Sequence, residues 1–270
     1  MKFRFLILTA AILLTGCSKK PGSADQTYLL QATLWYQHSA EMKALYHQAY
    51  NWAGLLVREQ NKQPHIKPPA VILDIDETIL NNSPSTGFQI LENLPFSEEL
   101  WASWCHNAEA EPLPGALEFT LLADETGVEV FYVSNRTENL LGVTIANMKK
   151  HGFPNADTAH VLLKTTTSSK AFRNARVAAE HKVILMIGDN LSDFDEAFED
   201  RHMDAAKKLV GDHSELFGST YIILPNPIYG SWENPYRTGE GTATEKRKNA
   251  LVTFKPSKRN RPVLHSVQGL

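Results

Sequence analysis

The sequence "AVILDIDETILNNSP", residues 70 to 84, contains three carboxylates directly after an apolar run. Asp74, Asp76 and Glu77 follow residues 70–73, whose aliphatic side chains are typical of a buried strand. Like charges at this spacing repel one another, and the repulsion costs most beside a buried strand because little water screens it. The arrangement therefore indicates a function that offsets the cost, such as cation binding.

Further polar side chains follow the other short aliphatic runs of the chain. They are Ser134, Asn135 and Arg136 in "YVSNR", Lys170 in "TTTSSKAF", and Asp189 and Asp193 in "MIGDNLSDF". In a parallel sheet the carboxyl ends of the strands meet at one edge, and ligands gather there. We therefore expect four aspartates, one hydroxyl and one lysine to converge on a single site.

These residue types predict a particular chemistry. Clustered aspartates persist when a cation neutralises them, and oxygen ligands without His or Cys suit Mg²⁺. Magnesium also shares phosphate oxygens, and Lys170 and Ser134 would hold the phosphate oxygens that remain. Two alternatives stay open. Asp193 taken alone could be a helix cap, and Lys164 could take the role of Lys170.

The elements that must position these side chains are predicted from the hydrophobic pattern. Residues 28–66 carry apolar side chains at spacings of three and four, which predicts a long helix or a pair of helices. Over residues 67–235, apolar strands alternate with helical stretches, which indicates a parallel sheet with helices on both faces. The aromatic-rich insertion at about residues 81–113 is too long for a simple loop and is predicted to cap the strand ends. Residues 236–270 are predicted to form a solvated helix and a basic tail rather than a binding arm.

The composition is that of an ordinary globular protein. With 43% hydrophobic and 21% charged residues, the 270-residue chain can form one large domain with an inserted part. Its formal net charge of -3 gives no indication of a nucleic-acid polymer as partner. A packing role is predicted for Cys105, which lies in the aromatic segment "LWASWCHNA".

The amino terminus has the pattern of a secretory signal. A basic flank precedes an apolar run, residues 5–14, that is too short to span a membrane. The following "LTGC" resembles the lipobox of bacterial lipoproteins, in which the cysteine, here Cys17, is acylated once residues 1–16 are removed. By the same resemblance Ser18 favours anchoring in the bacterial outer membrane, facing the periplasm or the cell exterior, with residues 17–27 as a polar tether. The alternative is an ordinary signal peptide that happens to contain a cysteine.

Taken together, the motifs resemble those of a known family. "DIDET", "YVSN", the Lys170 segment and "GDNLSDF" are similar, in this order, to the four motifs of the haloacid dehalogenase superfamily of phosphatases. The pairing of D-x-D-E-T with G-D-x-L-x-D-F more narrowly resembles class C non-specific acid phosphatases and 5'-nucleotidases of the lipoprotein e family. This resemblance extends from about Trp35 to about Trp232. It implies an α/β fold, a Rossmann-like parallel sheet with helices on both faces and a smaller, mainly helical cap and N-terminal part.

The resemblance also implies a role for each residue of the site. Asp74 would be the nucleophile that forms an aspartyl-phosphate, and Asp76 the general acid and base, which predicts an acidic pH optimum. The phosphate-binding residues would be Ser134, Asn135 and Lys170. The Mg²⁺ ligands would be Asp74, the backbone carbonyl of Asp76, Asp189 and, directly or through another ligand, Asp193.

The substrates that the resemblance implies are nucleoside monophosphates, including nicotinamide mononucleotide. Trp101 in the predicted cap and Tyr229 in "NPIYGSW" are the candidates for stacking on the base. The chain departs from the family pattern at Ser85 and Phe88, where a tyrosine and a tryptophan are common, and this leaves the base preference open. Two other functions stay open as well: a phosphatase without base preference, and a surface lipoprotein that binds haem or nucleosides. A homodimer is also implied by the resemblance.

Overall fold

The structure is a computed structural model that describes residues 26–199, 203–237 and 239–253. The predicted signal peptide, Cys17 and the end of the basic tail lie outside the described residues. Within the described ranges, none of the helices combines the length and the apolar character needed to cross a membrane.

A parallel sheet forms the centre of the protein. The strands described are β1 (Pro69–Leu73), β2 (Leu80–Asn81), β3 (Glu111–Pro112), β4 (Glu129–Thr137), β5 (Val161–Lys164), β6 (Lys182–Gly188) and β7 (Tyr221–Ile223). Five of them pair in parallel in the order β5-β4-β1-β6-β7, while β2 and β3 form a separate antiparallel ribbon. The fold class predicted from the alternation of strands and helices is confirmed, because the five paired strands are separated by helices along the chain and join one parallel sheet.

The helices surround the sheet and fill the insertion after β1. In the described residues they are α1 (Leu30–His38), α2 (Ala40–Gln60), α3 (Ser83–Glu92), α4 (Glu98–Asn107), α5 (Ala116–Glu125), α6 (Leu141–His151), α7 (Ala171–Glu180), α8 (Met203–Asp212), α9 (Asn234–Arg237) and α10 (Ala243–Asn249). Between β2 and β3, α3 and α4 make up the inserted segment. The N-terminal segment is a pair of helices, because the Ser39 hydroxyl caps α2 by accepting a hydrogen bond from the Met42 N–H at 3.1 Å.

Side chains of β1 alternate between two hydrophobic clusters. Val71 and Leu73 pack in the cluster that contains the buried residues of α1 and α2. Ala70 and Ile72 pack in the other cluster, with Val177 of α7. Because successive strand residues point to opposite faces, the sheet is covered on both faces. The strand therefore ends inside the protein, where a charged side chain is poorly screened.

Buried tyrosines of α1 and α2 support the loop that follows β1. Tyr46 donates a hydrogen bond to the backbone carbonyl of Glu77, and Tyr50 donates one to the carbonyl of Thr78 at 2.7 Å. The hydroxyls of Tyr36 and Tyr46 are 2.6 Å apart. A buried carbonyl without a partner is costly, so these hydroxyls fix the backbone of the loop.

We predict that Tyr50→Phe lowers the free energy of unfolding by about 1–3 kcal/mol, because the Thr78 carbonyl loses its buried partner. Tyr221→Phe is the control, since the Tyr221 hydroxyl forms no hydrogen bond within the described part of the chain. This control should change the free energy by less than about 0.5 kcal/mol. Urea denaturation measures both, and equal values would show that the hydroxyl of Tyr50 does not stabilise the loop.

Candidate functional site

The first carboxylate of the site lies at the carboxyl end of β1. The backbone N–H of Asp74 donates to the carbonyl of Ile187 on β6 at 3.0 Å, so the residue continues the pairing of the two central strands. Its side chain is buried, and burial raises the pKa of Asp74 to about 7. The charge of Lys170 opposes this rise, whereas the charges of Asp193 and Asp76 add to it.

Glu77, which follows Asp76 in the motif, shapes the turn after β1. Glu77 adopts a positive φ of 55°, which reverses the chain, and its side chain is fully buried. Its Oε1 accepts a hydrogen bond from the backbone N–H of Asn82 at 2.6 Å. Burial and the nearby carboxylates of Asp76 and Asp189 raise the pKa of Glu77 well above its usual range. Glu77 therefore stabilises the loop locally and does not line the site cavity.

Lys170 lies between two carboxylates. Its Nζ contacts Asp74 Oδ1 and is 2.7 Å from Asp193 Oδ1. Burial lowers the pKa of Lys170, but the two carboxylates outweigh burial and raise the pKa overall, so the amine is charged. Lys164, the alternative from the sequence, lies at the end of β5 and is not among the residues that line the site. The structure therefore brings Lys170 to the carboxylates.

The turn after β6 positions two further aspartates. Asp193 Oδ2 accepts the backbone N–H of Asn190 at 2.9 Å in a capping box, while its other carboxylate oxygen contacts the lysine. One carboxylate oxygen of Asp193 therefore caps the turn, as the capping alternative predicted, and the other contacts Lys170, while its role in a cation site stays a prediction. Asp189 accepts hydrogen bonds from Thr78 Oγ1 at 3.3 Å and from Asn226 Nδ2 at 2.8 Å. The sequence did not indicate Asn226, which follows β7.

Gly188 allows the close approach of Asp193. A Cβ on residue 188 would lie 2.7 Å from the Cβ and 2.8 Å from the Cγ of Asp193, well inside contact distance. Any side chain at this position would have to displace the carboxylate.

Three of the carboxylates are close enough to share one cation. One oxygen from each of Asp74, Asp189 and Asp193 lies within 4.8 Å of the others. Burial and the two neighbouring aspartates raise the pKa of Asp189 well above its usual range. An all-oxygen set of this charge fits a divalent cation, whose binding would remove the repulsion. The carboxylate of Asp76 is not part of this group, and a contribution from its backbone carbonyl stays a prediction.

Asp76 has its own set of hydrogen bonds. Its Oδ1 accepts from Arg136 Nε and from Asn82 Nδ2, both at 2.9 Å. Its Oδ2 accepts from Ser134 Oγ at 3.2 Å. Ser134 is fully buried and does not line the cavity, so in this structure its hydroxyl contacts Asp76. The motif resemblance assigns no role to Arg136, although a cation directly after "SN" was a usable signal.

Asn135 faces the cavity from the end of β4. Its side chain is exposed, and its Oδ1 accepts a hydrogen bond from Arg173 Nη2 at 2.7 Å. Arg173 also donates to the carbonyl of Ser134, so it connects α7 to β4. This arginine lies three residues after Lys170, and sequence reasoning missed it because its partners are distant in the chain.

The site opens into a cavity of about 680 Å³. Trp101 on α4 and Tyr229 after β7 both line it, so the two predicted stacking residues share the cavity with the carboxylates. Ser85 is buried and also lines it, whereas Phe88 is 48% exposed and does not. The guanidinium carbon of Arg136 lies over the Trp101 ring, 5.6 Å from its centre. Arg136 therefore occupies one face of that ring.

The fold and the site together define the class of the protein. A family model described as HAD superfamily, subfamily IIIB (Acid phosphatase) matches residues 22–232. The chain therefore belongs to this family of haloacid dehalogenase phosphatases, and the assignment made from the motifs is confirmed. The expected enzyme class, the phosphomonoester hydrolases, is the class to which acid phosphatases belong.

The chain is also similar to individual proteins and to a solved structure. The crystal structure of the class C acid phosphatase from Bacillus anthracis with tungstate bound is 36% identical, with a TM-score of 0.81, and the match covers 85% of this chain and 99% of that chain. The "Stem 31 kDa glycoprotein" of Glycine max is 29% identical over 167 residues, which are 58% of this chain and 58% of the relative. "Acid phosphatase 1" of Solanum lycopersicum is 29% identical over 135 residues, or 45% of this chain and 50% of the relative. The chain thus spans 58% and 50% of the length of these two curated relatives.

We predict that Gly188→Ala weakens the binding of a divalent cation about tenfold or more, because the added Cβ displaces Asp193. Titration calorimetry with Mg²⁺ measures the change. Gly142→Ala on α6 is the matched control, because a Cβ at that position would meet no atom within 4 Å. If the wild type and Gly188→Ala bind Mg²⁺ with equal affinity, Asp193 does not contribute to the cation site.

Proposed function

We propose that the protein is a Mg²⁺-dependent acid phosphatase that hydrolyses phosphomonoesters through an aspartyl-phosphate on Asp74. The observation that carries the proposal is the position of this carboxylate. It contacts Lys170 and belongs, with Asp189 and Asp193, to a set of oxygens that fits one divalent cation. The family and the similarity to a class C acid phosphatase with bound tungstate, an oxyanion, support the same reading.

In the first step, a carboxylate oxygen of Asp74 forms a bond to phosphorus while the bond from phosphorus to the ester oxygen breaks. Asp76 gives a proton to the leaving alcohol. The charged amine of Lys170 balances negative charge on the phosphoryl oxygens. A bound Mg²⁺ would supply further charge neutralisation to the same phosphoryl group.

In the second step, the carboxylate of Asp76 takes a proton from water as the water oxygen bonds to phosphorus. The bond between phosphorus and Asp74 breaks, which releases phosphate and restores both aspartates. Hydrogen bonds from Arg136, Asn82 and Ser134 hold the Asp76 carboxylate in one orientation for both proton transfers. A carboxylic acid as proton donor favours an acidic pH optimum.

The proposed substrates are 5'-nucleotides, including nicotinamide mononucleotide. Support comes from Trp101 and Tyr229, which line the same cavity as Asp74 and offer aromatic surfaces to a base. The cavity volume of about 680 Å³ suits a small organic substrate, since such sites measure roughly 300–1,000 Å³.

A phosphatase without base preference is the second candidate. Two observations favour it: Arg136 occupies one face of the Trp101 ring, and the short side chain of Ser85 lines the cavity. A surface lipoprotein that only binds haem or nucleosides has weaker support, because binding alone gives no reason to place a nucleophile beside a proton donor.

The proposal extends to the cellular location. A lipid on Cys17 would anchor the chain in the bacterial outer membrane, facing the periplasm or the cell exterior, and the protein would form a homodimer. Support comes from the "LTGC" pattern for the anchor and from the family resemblance for the dimer. Gln26, the first described residue, lines the cavity, so the predicted tether, residues 17–27, would end close to the site.

We predict that Asp74→Asn lowers phosphate release by about 10⁴-fold or more, because an amide is a poor nucleophile toward phosphorus. Initial rates on adenosine 5'-monophosphate and on a simple aryl phosphate measure the effect. Asp124→Asn is the matched control, since Asp124 is exposed on α5 and does not line the cavity. A chelator should abolish the wild-type rate and Mg²⁺ restore it.

The same rates separate the candidate functions. Equal kcat/KM values for the nucleotide and the aryl phosphate would favour the phosphatase without base preference. Absence of phosphate release from both substrates would favour the binding lipoprotein. Full activity in Asp74→Asn, or in the presence of the chelator, would contradict the proposed mechanism.

We predict that Tyr229→Ala lowers kcat/KM for adenosine 5'-monophosphate about tenfold, because the base loses a stacking surface. The value for the aryl phosphate should fall less, since its ring is smaller. Tyr229→Phe keeps the aromatic ring and should retain the wild-type ratio of the two kcat/KM values. A ratio that is the same in all three proteins would exclude stacking on Tyr229.

A further inference from the structure

A second group of cations lines the cavity, and the C-terminal segment contributes it. Arg237 on α9 and Lys246 and Arg247 on α10 line the same cavity as Asp74. The sequence predicted only a solvated helix and a basic tail here. Lys246 and Arg247 are instead partly buried. We call these three residues the C-terminal cationic wall.

One buried carboxylate holds two members of the wall. Glu233 is 4% exposed and contacts Arg247, and its Oε2 is 3.2 Å from Arg237 Nη2. The guanidinium of Arg247 also lies 3.8 Å from the centre of the Tyr28 ring, which fixes α10 against the N-terminal residues. The wall is therefore a built part of the cavity.

Lys246 lacks a comparable partner. Its Nζ donates a long hydrogen bond of 3.5 Å to the backbone carbonyl of Arg237, and it has no ion pair with the described residues. The wall thus presents three cations to the cavity against the single carboxylate of Glu233. Like charges held together at a cavity surface repel one another unless an anion lies between them.

The wall is also separate from the carboxylates that would handle the reacting phosphoryl group. Within the described residues, no hydrogen bond or ion pair joins its three cations to the carboxylates of Asp74 or Asp193, which are held by Lys170. The cavity therefore has two charged regions, supplied by distant parts of the chain. The carboxylates with Lys170 would attract a phosphoryl group once a divalent cation is bound, whereas the C-terminal cationic wall is positively charged by itself.

We infer that the C-terminal cationic wall binds a second phosphoryl group of the substrate. The substrate class is then a phosphomonoester that carries another phosphate away from the reacting one, such as a nucleoside or sugar bisphosphate. This inference rests on the proposed function only for the phosphoryl group that reacts with Asp74. Lys246 supplies the free charge, while Arg237 and Arg247 are held ready by Glu233.

The test compares matched ligands with one and two phosphoryl groups. Hydrolysis of α,ω-alkanediol bisphosphates of three to ten carbons is compared with that of the n-alkyl phosphates of equal length. The wild type should prefer the bisphosphate about tenfold at the length that spans the cavity. Lys246→Gln should reduce this preference at least about threefold, because kcat/KM for the bisphosphates falls more than kcat/KM for the alkyl phosphates of equal length.

Lys248→Gln is the matched control. It removes the same charge from the same helix at an exposed residue that does not line the cavity, so the preference should persist. No preference in the wild type, or an equal loss for both ligand types in Lys246→Gln, would overturn the inference.

Binding of non-hydrolysable ligands separates this inference from the proposed function. Calorimetry with hexane-1,6-diyl bisphosphonate and hexylphosphonate needs no turnover. The wild type should bind the bisphosphonate more tightly than hexylphosphonate, and Lys246→Gln should lose this difference. That result supports phosphoryl binding by the C-terminal cationic wall even if the protein releases no phosphate. If the wild type and Lys246→Gln bind the bisphosphonate with equal affinity, the wall does not bind a second phosphoryl group, even if the protein is an active phosphatase.

Discussion

The buried amine of Lys170, held between the carboxylates of Asp74 and Asp193, is the interaction on which the site depends. One amine cannot balance three carboxylates, of which Asp74 and Asp193 are buried and Asp189 is half-buried. The uncompensated negative charge, together with burial, raises the pKa values of Asp74 and Asp189. A divalent cation among the three oxygens would remove that excess. The metal site and the nucleophile are therefore consequences of the same crowding of charge.

The crowding is possible because rigid elements fix every member. Asp74 continues β1, and Asp193 is held in the capping box after β6, at a distance that only Gly188 permits. From the other side, hydroxyls of Tyr46 and Tyr50 bind the loop after β1. The sheet and the N-terminal helices are both needed to hold the carboxylates together. The N-terminal helices are therefore part of the structural support of the site.

Much of this arrangement could be predicted from the sequence because it follows from where strands end. Asp74, Asp189 and Lys170 each lie just after a predicted strand or at the start of the next helix, and parallel pairing brings such positions to one edge. The ribbon of β2 and β3 could not be predicted, because strands of two residues show no periodicity in the sequence.

The contacts that were missed join segments far apart in the chain. Asn226 reaches Asp189 from beyond β7, and Ser134 turns its hydroxyl to Asp76 rather than to the cavity. The cationic wall escaped prediction for the same reason, because a basic sequence says nothing about the cavity against which it packs. Local pattern gives the elements and their ends, whereas side-chain partners across the fold depend on the packed structure.

The most direct test of the account is calorimetric titration of the metal-free protein with Mg²⁺ between pH 5.5 and 8, in two buffers with different heats of ionisation. A carboxyl pKa of about 7 at Asp74 lies above the usual range, so this carboxyl keeps its proton at pH 6, and the stability gained from that proton is lost as the pH rises through about 7. Cation binding must displace the proton. We predict that protons are released on binding at pH 6, that the release declines by pH 8, and that affinity rises over the same interval. Binding without proton release at pH 6, or no binding at all, would contradict the claim that a divalent cation holds these carboxylates together.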